Sequence, residues 1–431
     1  MRHPGWRGSV QPLIVGVVLG MVLAAASGNG VLARREEDRV FSVAQTFRFN
    51  DWIKAMYCDE SGVFAVGLQP ARANTPVESA YLAFVDSKGR VTRRYPYKRA
   101  VGVARLHGKS ALVVATGASE DGRQLVLSTV TAKSQQRVLS IPAYSEILTT
   151  PDLSTVAVCG YPTWVSHEGS GPVTIILLDK MGTEVGRYDD LQADPDLVQA
   201  GLSPSGGRLA VASIRGDRAS SGSTMQVTVF DRNGRRVQDV SLGRVVPTGL
   251  MWSADDARFI VFGRDYGAHG GQRSEGNVWL YNRDGERVAS WEHLRHGFPA
   301  AAISRPSGRV MAVAAIDERE CKVTTAETAE GKPKWTASVP APPDGWVAGV
   351  DVTDAGDVIV GVTNRPTVTE TGLQASPIEV TVLSGIGEKI WSGQVPGGLF
   401  GDAPYLAWVD GGHRALVRGL RTITILRRRT G

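Results

Sequence analysis

His293 and His296, in "HLRH", are spaced so that two imidazoles could reach one metal ion. A zinc site needs further ligands. The chain has no HExxH and no carboxylate at a matching spacing, so the pair implies no metal. A serine stands between glycines in "GLSPSGG", Gly201 to Gly207, but no GxSxG surrounds it. "DRNG" from Asp231 and "NRDG" from Asn282 look like pieces of a calcium loop. Neither continues into the alternating oxygen ligands and late Glu that such a loop needs. The phosphate-cradling patterns GxxxxGK[ST] and GxGxxG are missing. "RGD", Arg215 to Asp217, matches an adhesion tripeptide, but so short a match in a polar stretch arises by chance.

The bulk properties narrow the class further. The chain has 431 residues, 42% of them hydrophobic, enough for a large core. Its formal charge is +5, and losing Arg2 and Arg7 with residues 1–26 would lower that by two. A nucleic-acid surface needs a concentrated basic stripe. The one basic run, Arg427 to Arg429, reads as a solvated segment, so no nucleic-acid partner is expected. Cys58, Cys159 and Cys321 are far apart, without CxxC, and read as buried free thiols. Residues 1–26 read as a signal peptide or membrane anchor. Arg2 and Arg7 precede an uncharged apolar stretch, Leu13 to Ala26, that ends in small residues. A span needs about 20 apolar residues, and Leu13 to Ala33 would reach that length. Cleaved signal and retained anchor both stay open, and both place the remainder outside the cytoplasm. Residues 27–39 read as a linker, with "RREEDR" from Arg34.

The elements that position any site come from a repeat. A turn rich in Ser, Pro, Gly and Asp precedes a short apolar run in eight copies. They are "CDESGVFAVGL" from Cys58, "LHGKSALVVATG" from Leu106, "TPDLSTVAVCG" from Thr150, "LSPSGGRLAVAS" from Leu202, "SADDARFIVFG" from Ser253, "SRPSGRVMAVAA" from Ser304, "TDAGDVIVGVT" from Thr353 and "VDGGHRALVRG" from Val409. Their starts lie ~50 residues apart, the period of a β-propeller. A second hairpin follows the better copies, with a polar residue and then Gly three positions on. The pairs are Asp86 and Gly89, Asp179 and Gly182, Asp231 and Gly234, Asn282 and Gly285, Ser384 and Gly387. Asp or Asn bonds its own turn, and Gly takes positive φ.

The expected fold is therefore all-β, a single propeller over residues 40–431 with eight four-stranded blades. Seven blades is the alternative, because the second and sixth repeats show the second hairpin weakly. The eighth copy is followed by "TITILRRR", one strand short of a blade. "VFSVAQTFRF", Val40 to Phe49, is expected to fill that place and close the ring, removing an open edge.

"SPSGGRLAVAS" and "VFDRNGRRV" make the chain resemble the WD40-like and quinoprotein-like propeller superfamily of bacteria. The resemblance covers nearly all of residues 40–431 and implies a fold rather than an activity. The Trp-Asp dipeptides of blade ends are absent, as is the Trp-rich signature of quinone-dependent dehydrogenases.

Among the ten tryptophans, Trp291, Trp335 and Trp391 follow a turn Gly by four or six residues, as do Tyr95 and Tyr188. Even offsets place them on one face of the outer strand, where they read as packing between blades. Trp252 and Trp408 share a place just before the first turn and read the same way. The links between second and third strands are long and polar. They include "YPTWVSHEGSG" from Tyr161, "IRGDRASSGST" from Ile214, "RDYGAHGGQRSEGN" from Arg264 and "NRPTVTETGLQASP" from Asn364. Long loops on a rigid scaffold carry binding residues. The candidates for partner or ligand binding are Trp164, His167, Arg215, Arg264, Asp265, Tyr266, His269 and Arg273. No catalytic residue, metal or cofactor is expected.

The leading expectation is a monomeric, non-enzymatic scaffold in the cell envelope that binds a protein or glycan, with a single membrane anchor at the N-terminus if that segment is retained. Two others stand beside it. One is an envelope hydrolase or lyase whose active site is dispersed around the channel. The other is a quinone-dependent redox protein.

Overall fold

A computed structural model of the chain describes residues 41–429 apart from short stretches. Those left out are 50–51, 59–63, 70–79, 87–89, 98–100, 108–109, 117–123, 132–134, 143–144, 151, 153, 161–170, 180–182, 194–198, 216–223, 244, 266–275, 295–298, 306, 318, 344, 365–366, 370–371, 375, 398–405 and 420. The described residues are all-β. They form eight four-stranded antiparallel sheets and one two-stranded hairpin.

The first strand, β1 (Phe41–Arg48), stands apart from its neighbours in sequence. Sheet 1 follows it as β2 (Trp52–Cys58), β3 (Phe64–Gln69), β4 (Ala80–Val85) and β5 (Val91–Tyr97). Sheet 2 is β6 (Val101–His107), β7 (Ser110–Thr116), β8 (Gln124–Thr131) and β9 (Gln135–Pro142). Sheet 3 is β10 (Ser145–Thr149), β11 (Thr155–Gly160), β12 (Gly171–Asp179) and β13 (Glu184–Ala193). Sheet 4 is β14 (Gln199–Leu202), β15 (Arg208–Arg215), β16 (Thr224–Asp231) and β17 (Arg236–Ser241). Sheet 5 is β18 (Val245–Trp252), β19 (Arg258–Asp265), β20 (Gly276–Asn282) and β21 (Arg287–Leu294). Sheet 6 is β22 (Ala300–Ile303), β23 (Val310–Asp317), β24 (Glu320–Glu327) and β25 (Pro333–Pro340). Sheet 7 is β26 (Gly345–Val352), β27 (Val358–Asn364), β30 (Ile378–Leu383) and β31 (Lys389–Val395). The hairpin β28 (Thr367–Thr369) and β29 (Gly372–Gln374) lies inside it. Sheet 8 is β32 (Leu406–Val409), β33 (Arg414–Arg418) and β34 (Thr422–Arg428), and β1 is its fourth strand. β1 pairs antiparallel with β34, Phe41 opposite Arg428 and Arg48 opposite Thr422.

Strand composition follows position. Second strands are buried on both faces between neighbouring sheets, so "VMAVAAID" of β23 is apolar almost throughout. Fourth strands such as β17, "RVQDVS", stand at the rim and are largely exposed. The core is the set of interfaces between sheets. Ile175, Leu177 and Tyr188 of sheet 3 pack on Leu209, Val211 and Phe230 of sheet 4. Val227 and Val229 of sheet 4 pack on Phe259, Trp279 and Tyr281 of sheet 5. The pattern continues from sheet 5 to 6, 6 to 7 and 7 to 8. Val409, Leu416, Ile423 and Ile425 of sheet 8 then pack on Ile53, Met56, Ala83 and Val85 of sheet 1.

The recurring turn has a definite mechanism. Its first Ser or Thr is buried and accepts a backbone N–H from across the turn. Thr155 donates to Thr150 Oγ1 at 3.0 Å, Arg208 to Ser203 Oγ at 3.1 Å, Arg258 to Ser253 Oγ at 2.9 Å and Asp357 to Thr353 Oγ1 at 3.1 Å. The second turns behave as their Asp-x-x-Gly pattern requires, with Gly234, Gly285 and Gly387 at positive φ. Sheet 6 has its second hairpin too. Its turn is one residue longer, with Gly331 N–H donating to Glu327 O, so the usual spacing does not mark it.

Asp256 takes the left-handed place that Gly206 fills in sheet 4, with φ 64°. Its carboxylate accepts the Ser205 hydroxyl of sheet 4 at 2.8 Å. Both Asp256→Ala and Asp256→Gly remove that bond, the Ser205 N–H bond and the ion pair with Arg283, but only the alanine keeps a Cβ at positive φ. Chemical denaturation should show the alanine variant less stable than the glycine variant by about 1 kcal/mol.

Candidate functional site

The two ends of the sheets differ in chemistry. Antiparallel order places the links between first and second strands, and between third and fourth, at one end. In sheets 4 to 8 these are short turns. The links between second and third strands lie at the other end. They are long in sheets 1, 3, 4, 5 and 7, spanning residues 70–79, 161–170, 216–223, 266–275 and 365–377. Sheet 6 departs from this, with only residues 318–319 between Asp317 and Glu320.

Three of the eight expected binding residues lie in described strands. Arg215 closes β15 opposite Thr224. Arg264 and Asp265 close β19, opposite Val246 and Val245 of β18. All three stand at the long-link end of two sheets that pack together. Trp164, His167, Tyr266, His269 and Arg273 lie outside the described residues, as does the apolar stretch Leu13 to Ala33. His293 falls within β21 rather than in a link, and His296 is outside the described residues. Among the described residues no group of three or more His, Cys, Asp or Glu could hold a metal. Cys321 is a buried free thiol, pushed up to about 12 by burial.

At the tight-turn end the polar side chains join one sheet to the next. Tyr188 Oη donates to Asp231 O at 2.6 Å, between sheets 3 and 4. Arg208 pairs with Asp284 at 3.1 Å, between sheets 4 and 5. Arg258 Nε donates to Thr328 O at 3.3 Å, between sheets 5 and 6. The Ser307 hydroxyl donates to Asp354, and Trp335 Nε1 donates to Gly385 O at 2.8 Å, between sheets 6 and 7. Arg428 donates to Asp357 at 3.2 Å, between sheets 8 and 7. The outer-strand aromatics Tyr188, Trp335 and Trp391 are thus packing groups, Trp391 within the apolar cluster of sheets 7 and 8.

Sequence reasoning misses one group here, Asp351 on the innermost strand β26. It is 3% exposed. Its carboxylate accepts the backbone N–H of Trp408 at 2.7 Å and of Val352 at 3.0 Å, with Arg305 at 3.8 Å. It therefore ties sheets 6, 7 and 8 together. Leu148, Gly201, Met251 and Ala302 hold the equivalent place in other repeats, so a lone acid there is the signal that sequence offers. Burial pushes the Asp351 carboxyl above its ordinary range, against the pull of Arg305 and the two N–H donors.

No protein-family model and no curated protein matches the chain. Solved structures do match. The C-terminal WD40 domain of Sif2 superposes with TM-score 0.53 at 11% identity, over 91% of this chain and 99% of that one. Sqt1 from Chaetomium thermophilum gives TM-score 0.51 at 13% identity, over 90% of this chain and 99% of that one. The chain is a WD40-like β-propeller in fold. Identities this low carry the architecture alone.

Asp351 generates a pH test. A raised folded pKa contributes stability that is present below the unfolded pKa and is lost as pH rises through the folded value. The stability of wild type relative to Asp351→Asn should therefore fall as pH rises above the ordinary aspartate range, about pH 4. Asp351→Leu leaves the Trp408 N–H without its acceptor and should cost about 1–3 kcal/mol. Urea unfolding of the three proteins across that pH range reads both effects.

Proposed function

We propose that the chain is a non-enzymatic, extracytoplasmic β-propeller over residues 40–431, with eight blades and a ring closed by β1. It binds a protein or glycan partner of the cell envelope through its long-link end. The observation that supports this reading is the contrast between the two ends. At the tight-turn end, polar side chains are used in sheet-to-sheet bonds such as Arg208–Asp284 and Arg428–Asp357. At the other end, the links are long and polar, differ from repeat to repeat, and include Trp164, His167, Tyr266, His269 and Arg273. A surface of that composition suits macromolecular contacts. The pairing of β1 with β34 and the packing of sheet 8 on sheet 1 support the closed ring. Asp351, an acid on an innermost strand, is engaged by backbone N–H groups of two sheets, which suits a structural role.

The test is cross-linking and pull-down in the native cells. Wild type is compared with a variant in which residues 266–275 are replaced by a short Gly-Ser turn. The expected outcome is loss of a specific envelope partner at unchanged thermal stability, since shortening a loop costs little. An unchanged set of cross-linked partners would move the site away from this end. No partner for wild type would favour a dispersed active site and a screen of small substrates.

A further inference from the structure

The path of β1 decides which end of the ring receives the N-terminal segment. β34 runs from Thr422 at the long-link end to Arg428 at the tight-turn end, where Arg428 N–H donates to His413 O of the first turn. Phe41 pairs with Arg428. The chain therefore enters the ring at the tight-turn end, and the apolar stretch Leu13 to Ala33 precedes that entry point by only seven residues, 34–40. Extended chain covers at most about 3.6 Å per residue, so that linker spans roughly 25 Å.

The surface at this entry point has an unusual composition. Arg427 and Arg429 are exposed, while Arg428 between them covers the Phe41 ring and bonds Asp357. Asp357 belongs to the first turn of sheet 7, and the second turn of that sheet rests on it. A Cβ on Gly385 would lie 2.4 Å from Ala355 O, so the two turns touch. The next residue is Ile386, 71% exposed. Corresponding tips carry Asn233 and Asp284. The turn that presents Ile386 is well formed, with Ser384 N–H donating to Glu388 O at 2.7 Å and Gly387 N–H to Ser384 O at 2.9 Å. Glu388 and Lys389, both exposed, follow it and offset each other in charge. The carboxylate of Asp357 is engaged by Arg428 and that of Asp354 by Ser307. Arg428 faces sheet 7, so the alternating Arg427 and Arg429 lie on the sheet 1 side of β34. These exposed cations and the protruding Ile386 thus share the end where an apolar segment enters, on either side of that strand.

We propose that the tight-turn end of sheets 7 and 8 lies against the membrane surface, with Arg427 and Arg429 on anionic lipid headgroups and Ile386 in the interfacial layer. Basic side chains and an exposed apolar one at the same end are the composition that an anionic interface attracts. The long-link end then faces away from the bilayer, open to a partner. The inference rests on the extracytoplasmic reading with the N-terminal segment retained as an anchor.

The test uses the full chain reconstituted in vesicles of phosphatidylcholine, with or without phosphatidylglycerol. A photo-cross-linking residue, benzoylphenylalanine, replaces Ile386 in one variant and His269 in another. Flotation with the vesicles reads the anchor, and cross-linking to radiolabelled lipid reads the face. The expected result is lipid cross-linking at position 386 and not at 269, dependent on phosphatidylglycerol and lost with Arg427→Glu and Arg429→Glu together. Equal cross-linking at both positions, or cross-linking at 386 to a second copy of the chain, overturns the proposed face while leaving the anchor standing. Cross-linking at 386 that ignores both phosphatidylglycerol and the arginine substitutions overturns the headgroup assignment. A chain that does not float with either vesicle overturns the anchor reading and the membrane face with it.

Discussion

A four-stranded antiparallel sheet with apolar residues on both faces cannot cover either face by itself. Everything else in this structure follows from that constraint. Each sheet needs a neighbour on each side, and each junction buries branched aliphatic and aromatic side chains of both partners. A row of sheets would leave two faces bare at its ends. Val409, Leu416, Ile423 and Ile425 of sheet 8 are buried in one cluster with Ile53, Met56, Ala83 and Val85 of sheet 1. Apolar burial of this kind is worth about 25 cal/mol per Å², so open terminal faces would be costly.

Burial alone is not directional, and the polar contacts at the tight-turn end supply the direction. Every junction from sheet 3 to sheet 8 carries at least one hydrogen bond or ion pair there. Three of the groups involved, Arg208, Arg258 and Asp357, also have their backbone N–H held by the turn hydroxyls of Ser203, Ser253 and Thr353. Local turn chemistry and the angle between sheets are therefore coupled. The long links at the opposite end differ in sequence from sheet to sheet.

Much of the architecture was legible because its causes are local. The buried hydroxyls of Ser203, Ser253 and Thr353 act within six residues, so the same phrase appears wherever the turn does. Asp-x-x-Gly marks the second turns for the same reason. Sheet 6 escaped the pattern because Gly331 closes a turn one residue longer. Asp351 was not legible as a tie, because its acceptor role depends on Trp408, 57 residues away. The outer-strand aromatics were read correctly as packing from their even offsets, but the carbonyl that Trp335 finds in sheet 7 depends on the arrangement of two sheets. Of the candidate binding residues, Arg215, Arg264 and Asp265 share an end because β15 and β19 run the same way in adjacent sheets. Which side chains meet a partner is not a local property, and the repeat carries no signal for it.

The pairing of β1 with β34 also has a consequence in time. Thr46 and Thr424, hydroxyls 3.4 Å apart, are separated by 378 positions along the chain. During synthesis, β1 emerges long before its hydrogen-bonding partner β34. Until then β1 has an unpaired edge, and sheet 8 lacks its rim. Loop closure over such a separation is slow compared with forming the hairpins inside each sheet. The pairing of β1 with β34 thus carries a far larger loop-closure cost than any hairpin inside a sheet.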